Sequence, residues 1–235
     1  HLYTGTDGAI SIDDQNGDVF HDLSTSLGAR QFYKIGVSRS DKDVVVGGAQ
    51  DNGTAGMKGE DHKWYEWLGA DGMETFVDWS NADILYGTSQ NGTLYKSTNG
   101  GQSYSGFSGP GGDGKWVTPF EQDPINANTV YVGIGGLQKK VGSGSWQRIS
   151  TLTSNLDEIK IAQSNNQIIY FSVGSTLYRT TNGGGSWSTM SGISGTINGI
   201  AIHPEDPNYV AVATSSGSKV YVSTNGGSSF TGYLK

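Results

Sequence analysis

The chain has 235 residues, no cysteine and a formal net charge of −7, and 37 of its residues are glycine. The missing cysteines exclude a disulfide framework and a thiolate metal site, and the acidic balance argues against nucleic acid, because phosphate groups are bound by cationic surfaces. No apolar stretch approaches the roughly 18 residues of a membrane span, so we expect no membrane insertion.

A repeated segment organises the chain. Three copies are nearly identical, at residues 97–104, 180–187 and 223–230, and each reads Ser/Thr-Thr-Asn-Gly-Gly-x-Ser-aromatic. Weaker copies end at three further aromatic residues, which gives the series Phe20, Trp64, Tyr104, Trp146, Trp187 and Phe230. Their separations are 44, 40, 42, 41 and 43 residues. Such a steady period indicates a repeat architecture.

Each period contains the same elements in the same order. A strand-like run comes first (residues 32–37, 116–120 and 197–202), followed by a polar turn and a second strand (130–132, 168–171). A glycine-containing turn and a third strand (93–95, 176–178) lead into the repeated hairpin, and a fourth strand begins at the aromatic. Four short strands in about 42 residues predict an all-β fold built of β-propeller blades.

The period divides the chain into six repeats of one propeller domain. Their approximate bounds are 1–28, 29–70, 71–113, 114–154, 155–195 and 196–235, and the first repeat lacks its innermost strand. The chain therefore starts at a second strand and stops after a fourth. We expect it to be part of a longer propeller or chain, and the alternative is a small ring with one three-stranded blade.

The repeated hairpins have a mechanical explanation. Tight hairpins need residues that accept a positive φ, which glycine supplies. The side chains of Asn99, Asn182 and Asn225 are placed to bond the turn backbone, and the serines four residues later can join the two arms. We expect the hairpins to serve as turn staples without chemistry, and their aromatics, Trp64, Trp146 and Trp187 among them, to pack between neighbouring blades.

These hairpins resemble Asp-box (BNR) repeats, Ser/Thr-x-Asp-x-Gly-x-Ser/Thr-aromatic, with asparagine here in the aspartate position. Asp-box propellers include sialidases, xyloglucanase-type endoglucanases, sortilin-type receptors and photosystem assembly factors. Residues 48–54, 69–72 and 116–120 also resemble large secreted bacterial proteins labelled glycosyl-hydrolase-like or sortilin-like. The resemblance implies an extracellular or cell-surface propeller from a bacterium. It does not determine the activity, since one fold hosts many functions.

The topology of a four-stranded blade predicts on which face of the propeller each polar turn residue lies. The turns between second and third strands and the links between blades share one face, opposite the repeated hairpins. On that face polar groups gather in the first three repeats, and the predicted ligand-binding residues are Asp51, Asn52, Trp67, Asp71, Glu74, Gln90, Asp113 and Trp116. Carboxylates and amides bond sugar hydroxyls while tryptophan covers a C–H face, so we expect a glycan or an extracellular protein as partner.

Catalysis is the alternative use of the same face. The candidate acids are Asp7, Asp51 and Asp71, and glycoside hydrolysis requires two carboxylates about 5 to 9 Å apart. Asp7 and Asp51 sit where xyloglucanase-type enzymes carry an acid in a similar turn, but those enzymes take acid and base from two propellers. An aspartate before a tight turn is also an ordinary turn residue. The residues thus favour a binding or scaffold module over an enzyme, with a protein-assembly or sorting-receptor role as a further alternative.

Other chemistries find less support. Sialidases use an arginine cluster to bind the substrate carboxylate, and this chain has four scattered arginines. The four histidines show no pair at zinc-ligand spacing. Residues 14–18 resemble a calcium loop, but the segment is shorter than the full pattern and lacks the distant bidentate glutamate. We therefore expect no metal or cofactor, with calcium at 14–18 as the alternative to a plain hairpin.

Overall fold

The computed structural model describes residues 3–5, 10–13, 20–22, 31–59, 63–215 and 219–234. The chain divides into two compact units, residues 1–32 and 33–235. The first unit contains sheet I, an antiparallel sheet of β1 (Tyr3–Gly5), β2 (Ile10–Asp13) and β3 (Phe20–Asp22). The candidate acid Asp7 and the possible calcium loop at 14–18 lie outside the described residues.

The second unit contains five four-stranded antiparallel sheets, each formed by four strands that follow one another in the chain. Sheet II consists of β4 (Phe32–Val37), β5 (Val45–Ala49), β6 (Thr54–Met57) and β7 (Trp64–Leu68). Sheet III consists of β8 (Gly72–Val77), β9 (Leu85–Ser89), β10 (Leu94–Ser97) and β11 (Ser105–Gly106). Sheet IV consists of β12 (Phe120–Gln122), β13 (Thr129–Val132), β14 (Gln138–Val141) and β15 (Gln147–Arg148).

Sheet V consists of β16 (Glu158–Ile161), β17 (Ile169–Val173), β18 (Thr176–Thr180) and β19 (Ser188–Met190). Sheet VI consists of β20 (Ile197–Ile202), β21 (Val210–Thr214), β22 (Lys219–Ser223) and β23 (Thr231–Leu234). A 3-10 turn at Gln90–Gly92 joins β9 to β10. Within the described ranges, no helix combines the length and the apolar composition that crossing a membrane would require.

The predicted all-β fold of four-stranded units is confirmed, and one first strand differs from its prediction. The first strands expected at 32–37 and 197–202 form as β4 and β20, but β12 begins only at Phe120. Pro119 has no N–H to donate to a strand, and the Thr118 hydroxyl donates to the Lys115 carbonyl at 2.7 Å. Residues 116–119 therefore belong to the link between sheets III and IV.

Four clusters of buried apolar side chains hold the second unit together, and each cluster lies between two successive sheets. Strand β17 shows how this arises. Its neighbouring residues Tyr170 and Phe171 are both fully buried, but Tyr170 faces the cluster shared with sheet VI and Phe171 the cluster shared with sheet IV. Side chains alternate across a strand, so one apolar strand supplies both cores.

Sheets II and III approach more closely than side chains would permit. A Cβ atom on Gly48 would lie 2.1 Å from the carbonyl oxygen of Met73, and one on Gly72 would lie 2.3 Å from the carbonyl oxygen of Gly53. The backbones of the two sheets are therefore in direct contact at these glycines. This contact brings the turn after β5 beside the link that precedes β8.

The repeated hairpins carry the predicted hydrogen bonds. In the hairpin after β18, the Asn182 Oδ1 atom accepts the Ser186 N–H at 2.9 Å, and its Nδ2 atom donates to the Ser186 hydroxyl at 3.0 Å. The two glycines, Gly183 and Gly184, have φ values of 66° and 99°. The hairpins at Asn99 and Asn225 repeat the same bonds, so the role of these residues in the turn is confirmed.

The hairpin aromatics divide into two groups. Trp146 and Trp187 are partly buried and donate their Nε1–H groups to carbonyls of the preceding repeat, those of Ser108 at 2.6 Å and Ile149 at 2.8 Å. Trp64 is 44% exposed, so its predicted place in the core was wrong. It begins the outermost strand of sheet II, and later residues of β7 take the buried positions instead.

Removal of the asparagine should loosen a hairpin. Asn182→Ala deletes the bonds to Ser186, and we expect a loss of about 1–2 kcal/mol in unfolding free energy, because the freed turn groups lose their partners. Urea denaturation followed by tryptophan fluorescence measures this loss. Thr181→Ala changes the neighbouring exposed residue and should have almost no effect. Equal stability of the two variants would contradict the staple role.

Candidate functional site

The turns and links at the start of the first strands of sheets II to IV form one polar surface, which we call the rim site. It comprises Tyr33, Gln50, Asp51, Asp71, Gln90 and Trp116. Within the described ranges, three non-glycine residues have a positive φ, Asp51 at 59°, Ala70 at 63° and Asn91 at 61°, and all three lie in these turns. Such conformations are costly and concentrate at functional sites, which supports this region as the candidate.

Hydrogen bonds connect the turns of the rim site. The Asp51 N–H donates to the Asp71 Oδ1 atom at 2.8 Å, and the Asp71 N–H donates to the Gln90 Oε1 atom at 3.3 Å. Asn52 is exposed and donates through Nδ2 to the Gln50 carbonyl at 3.1 Å. The structure thus brings Asp51, Asn52, Asp71 and Gln90 together, and the close backbone contact of sheets II and III makes this possible.

An exposed aromatic pair borders these polar groups. Trp116 is 45% exposed and Tyr33 is 40% exposed. The Trp116 Nε1–H donates to the Tyr33 hydroxyl at 3.4 Å, and that hydroxyl donates to the Gln50 Oε1 atom. The pair therefore offers an apolar surface whose edge is polar. Trp116 is available because residues 116–119 form a link and not a strand.

Trp67 does not belong to this surface, which corrects its prediction as a ligand contact. Its side chain is only 3% exposed and packs in the core between sheets II and III. The ring packs against Gly87, where a Cβ would lie 3.0 Å from two ring carbons, and a Cβ on Gly101 would lie 2.8 Å from the Trp67 Cβ atom. A register shift in the pairing of β6 with β7 makes Trp67 the extra residue of its strand, and it turns inward.

Asp113 lies beside the rim site, in the link from sheet III to sheet IV. It is exposed, and its backbone carbonyl accepts a bond from Asn155 Nδ2 at 2.9 Å. Together with Asn91 it lines a cavity of about 380 Å³ whose floor is formed by Leu94, Phe107 and Ile134. The backbone links the cavity lining to the rim site, since the Asn91 N–H donates to the Trp116 carbonyl at 3.4 Å.

Glu74, the last predicted site residue, lies deeper, in a cluster of charged residues on the first strands of the sheets. We call this the inner-strand cluster, and it comprises Lys34, Glu74, Glu121, Glu158 and Lys160. The Lys34 ammonium lies 3.0 Å from the Glu158 Oε1 atom and 3.8 Å from the Glu74 Oε2 atom. Lys160 pairs with Glu121. The first strands of sheets II, III and V thus converge on one lysine.

Burial dominates the electrostatics of this cluster. Desolvation raises the pKa of Glu74 to about 7, although Lys34 and Lys160 counteract the shift. Desolvation also raises the pKa of Glu158. Burial by itself would lower the pKa of Lys34, but the carboxylates of Glu74 and Glu158 raise it overall. Lys34 therefore remains a cation that holds the two carboxylates together.

Sequence reasoning missed the residues on the first strands. Tyr33, Lys34 and Glu158 lie inside segments that read as ordinary strands. A signal was present, since the first strands of sheets II, IV and V each carry an ionisable residue (Lys34, Glu121 and Glu158). A charge that recurs inside buried strands indicates that the side chains meet each other.

No group of three or more His, Asp or Glu side chains that could hold a metal ion occurs in the described part of the chain. The rim site itself offers amides, carboxylates and aromatic faces. These groups suit hydroxyl-rich or peptide ligands.

The fold defines the class of protein, which is a β-propeller with successive four-stranded blades. The chain is similar to the GH74 enzyme of Niastella koreensis, at 19% identity and a TM-score of 0.72 over 97% of this chain. It is also similar to the GH74 xyloglucanase of Xanthomonas campestris, at 15% identity and a TM-score of 0.59 over 88%. YCF48 of Cyanidioschyzon merolae matches 97% of the chain at 15% identity and a TM-score of 0.64.

These similarities differ in how much of the other protein is covered. The chain spans 42% of the Niastella enzyme and 46% of the Xanthomonas enzyme, but 79% of YCF48. No model of a known protein family matches the chain. No curated protein matches it in sequence. At these identities the likeness establishes the propeller fold.

The pKa of Glu74 predicts a pH-dependent stability. Its folded value of about 7 lies above the ordinary value of 4.5, so the folded state binds this proton more tightly. The resulting stabilisation is complete below about pH 4.5 and is lost as the pH rises through 7, by up to about 3 kcal/mol. Glu74→Gln should therefore lose less stability than the parent between pH 5 and pH 8.

Urea denaturation at several pH values measures the difference. Glu205→Gln, which changes an exposed glutamate in the turn between β20 and β21, should leave the pH dependence unaltered. If Glu74→Gln and the parent protein gave parallel curves between pH 5 and pH 8, the proposed proton uptake by Glu74 would be wrong.

Proposed function

We propose that this propeller is a non-catalytic binding module that recognises a glycan at the rim site. The observation that carries the proposal is the exposed Trp116–Tyr33 pair, bonded to Gln50 and flanked by the linked turns of Asp51, Asp71 and Gln90. An aromatic face covers the C–H side of a sugar ring, while neighbouring amides and carboxylates bond its hydroxyls. Several of these groups already have fixed positions, which lowers the ordering cost of binding.

The setting of the module is part of the proposal. We propose that it is extracellular, on a secreted or surface-attached bacterial protein, and that its stapled hairpins are Asp-box repeats with asparagine in place of aspartate. The hairpins lie at the opposite end of the sheets from the rim site, so they support the blades and leave the rim for recognition. The resemblance of the hairpin sequences supports both points.

Calorimetric titration with a panel of soluble β-glucan oligosaccharides tests glycan binding. Trp116→Ala should weaken binding by about tenfold or more, because it removes the largest aromatic face. Tyr33→Phe keeps the ring and should weaken binding less. Trp64→Ala is the matched control, since Trp64 is equally exposed but lies at the hairpin end. Absence of binding to every glycan would overturn the proposal and favour a protein partner.

A glycoside hydrolase of xyloglucanase type is the second candidate, favoured by the similarity to the GH74 enzymes. Asp51 or Asp71 would supply one carboxylate. The Asp71 carboxylate already accepts the Asp51 N–H, so this group holds the turn whether or not it acts on a substrate. The propellers' shared fold does not transfer the activity.

Release of reducing ends from xyloglucan distinguishes the two candidates. The binding module should release none, while a hydrolase would lose release in Asp51→Asn or Asp71→Asn and keep it in Asp206→Asn, a turn aspartate at the hairpin end. Release that depends on Asp51 or Asp71 would replace the binding proposal with the hydrolase.

A protein partner is the third candidate, and it would make the module an assembly or sorting scaffold. The similarity to YCF48, one structure of which is bound to a D1 peptide, favours this alternative. The exposed Trp116–Tyr33 pair could equally pack against peptide side chains. The glycan titration separates these two kinds of ligand.

A further inference from the structure

The far end of the first strands contains a second site, away from the rim. A cavity of about 360 Å³ lies where β12, β16 and β20 end, and a smaller one of about 130 Å³ lies beside it where β4 and β8 end. Four residues line both cavities, Arg39, Glu121, Gln122 and Pro124. Together they form one recess, which we call the lower recess. Its volume is within the range of small-ligand pockets.

Arg39 brings a positive charge to the lower recess. It is exposed, and it has no hydrogen bond or ion pair with any residue that the structure describes. The nearby acids are already engaged, because Glu121 pairs with Lys160 and Asp78 accepts the N–H and hydroxyl of Ser80. Asp123 accepts four donors, among them the Tyr131 hydroxyl and the Asn166 amide. The guanidinium therefore faces a recess whose lining carboxylate, Glu121, already pairs with Lys160.

The lower recess combines polar lining residues, among them Lys160 and Gln163, with apolar ones. Ile161, Ile200 and Ile202 line the larger cavity together with Pro124. Gln122 cannot turn freely, because its Oε1 atom accepts the Trp79 N–H at 3.1 Å and its Nε2 atom donates to the Ala127 carbonyl at 2.9 Å. A ligand would thus meet isoleucine and proline side chains set among polar groups, next to a guanidinium.

We propose that the lower recess binds a carboxylate attached to an aliphatic body. The planar guanidinium of Arg39 can donate two parallel hydrogen bonds to a carboxylate, and the isoleucines would bury the aliphatic part. Such a group can belong to a small organic acid or to the C-terminus of a peptide with an aliphatic last residue. The site is independent of the rim and of what the rim binds.

Calorimetric titration of the full chain with N-acetyl-leucine and with N-acetyl-leucinamide tests the proposal. Both probes have the same body, but only the first has a carboxylate. We expect N-acetyl-leucine to bind at least about tenfold more tightly than the amide, and Arg39→Gln to abolish this preference. Arg148→Gln, at an exposed arginine of β15, is the matched control and should bind like the parent.

A cavity-filling variant gives a second readout. Ala201 is exposed and lines the larger cavity, so Ala201→Leu should weaken N-acetyl-leucine binding while the far-ultraviolet circular dichroism spectrum stays unchanged. Equal binding of acid and amide, equal binding by Arg39→Gln and the parent, or no binding of N-acetyl-leucine at millimolar concentration would each overturn the proposal.

A nine-residue peptide that ends in leucine identifies the source of the carboxylate. Tighter binding of this peptide than of N-acetyl-leucine, abolished by amidation of its C-terminus, would support the proposal with a peptide terminus as ligand. Weaker binding of the peptide than of N-acetyl-leucine would support it with a small organic acid as ligand.

Discussion

Each four-stranded sheet of the second unit must cover both of its apolar faces, and this requirement determines how the sheets are arranged. Such a sheet is too small to be stable with one apolar face in water. Strand β17 meets this need with two fully buried aromatics, Tyr170 and Phe171, that point into different cores. Since every core lies between successive sheets, the sheets must follow one another in chain order. The positions of the rim site, the inner-strand cluster and the lower recess all follow from that order.

The repeat and its hairpins could be predicted because their causes are local. An Asn-Gly-Gly turn bonds to its own residues within four positions, so the sequence contains the whole interaction. The link at 116–119 escaped prediction, since Trp116 and Val117 favour a strand by themselves. Pro119 and the bond from Thr118 to Lys115 oppose a strand there. Local preference fails where one or two residues oppose the rest of a segment.

The candidate site was less accessible to such reasoning. Topology alone placed Asp51, Asp71 and Gln90 at the same end of the sheets, and the structure brings them into hydrogen-bond contact. Topology alone could not predict which of the two aromatic residues, Trp67 or Tyr33, is exposed. Which of them faces solvent depends on a register shift in sheet II and on glycines in sheet III, and neither is visible in one segment. Long-range packing therefore decides which aromatic can meet a ligand.

The backbone contact at Gly48 and Gly72 has a consequence for the evolution of the rim. Any side chain at either position would collide with main-chain atoms, so substitution there must separate two blades. Asp51 and Asn52, which lie in the turn beside this contact, are exposed to solvent. A tightly constrained frame thus carries solvent-exposed tips, as in an antibody loop. Selection could alter the specificity of this surface, or a mutant library could explore it, without endangering the architecture beneath.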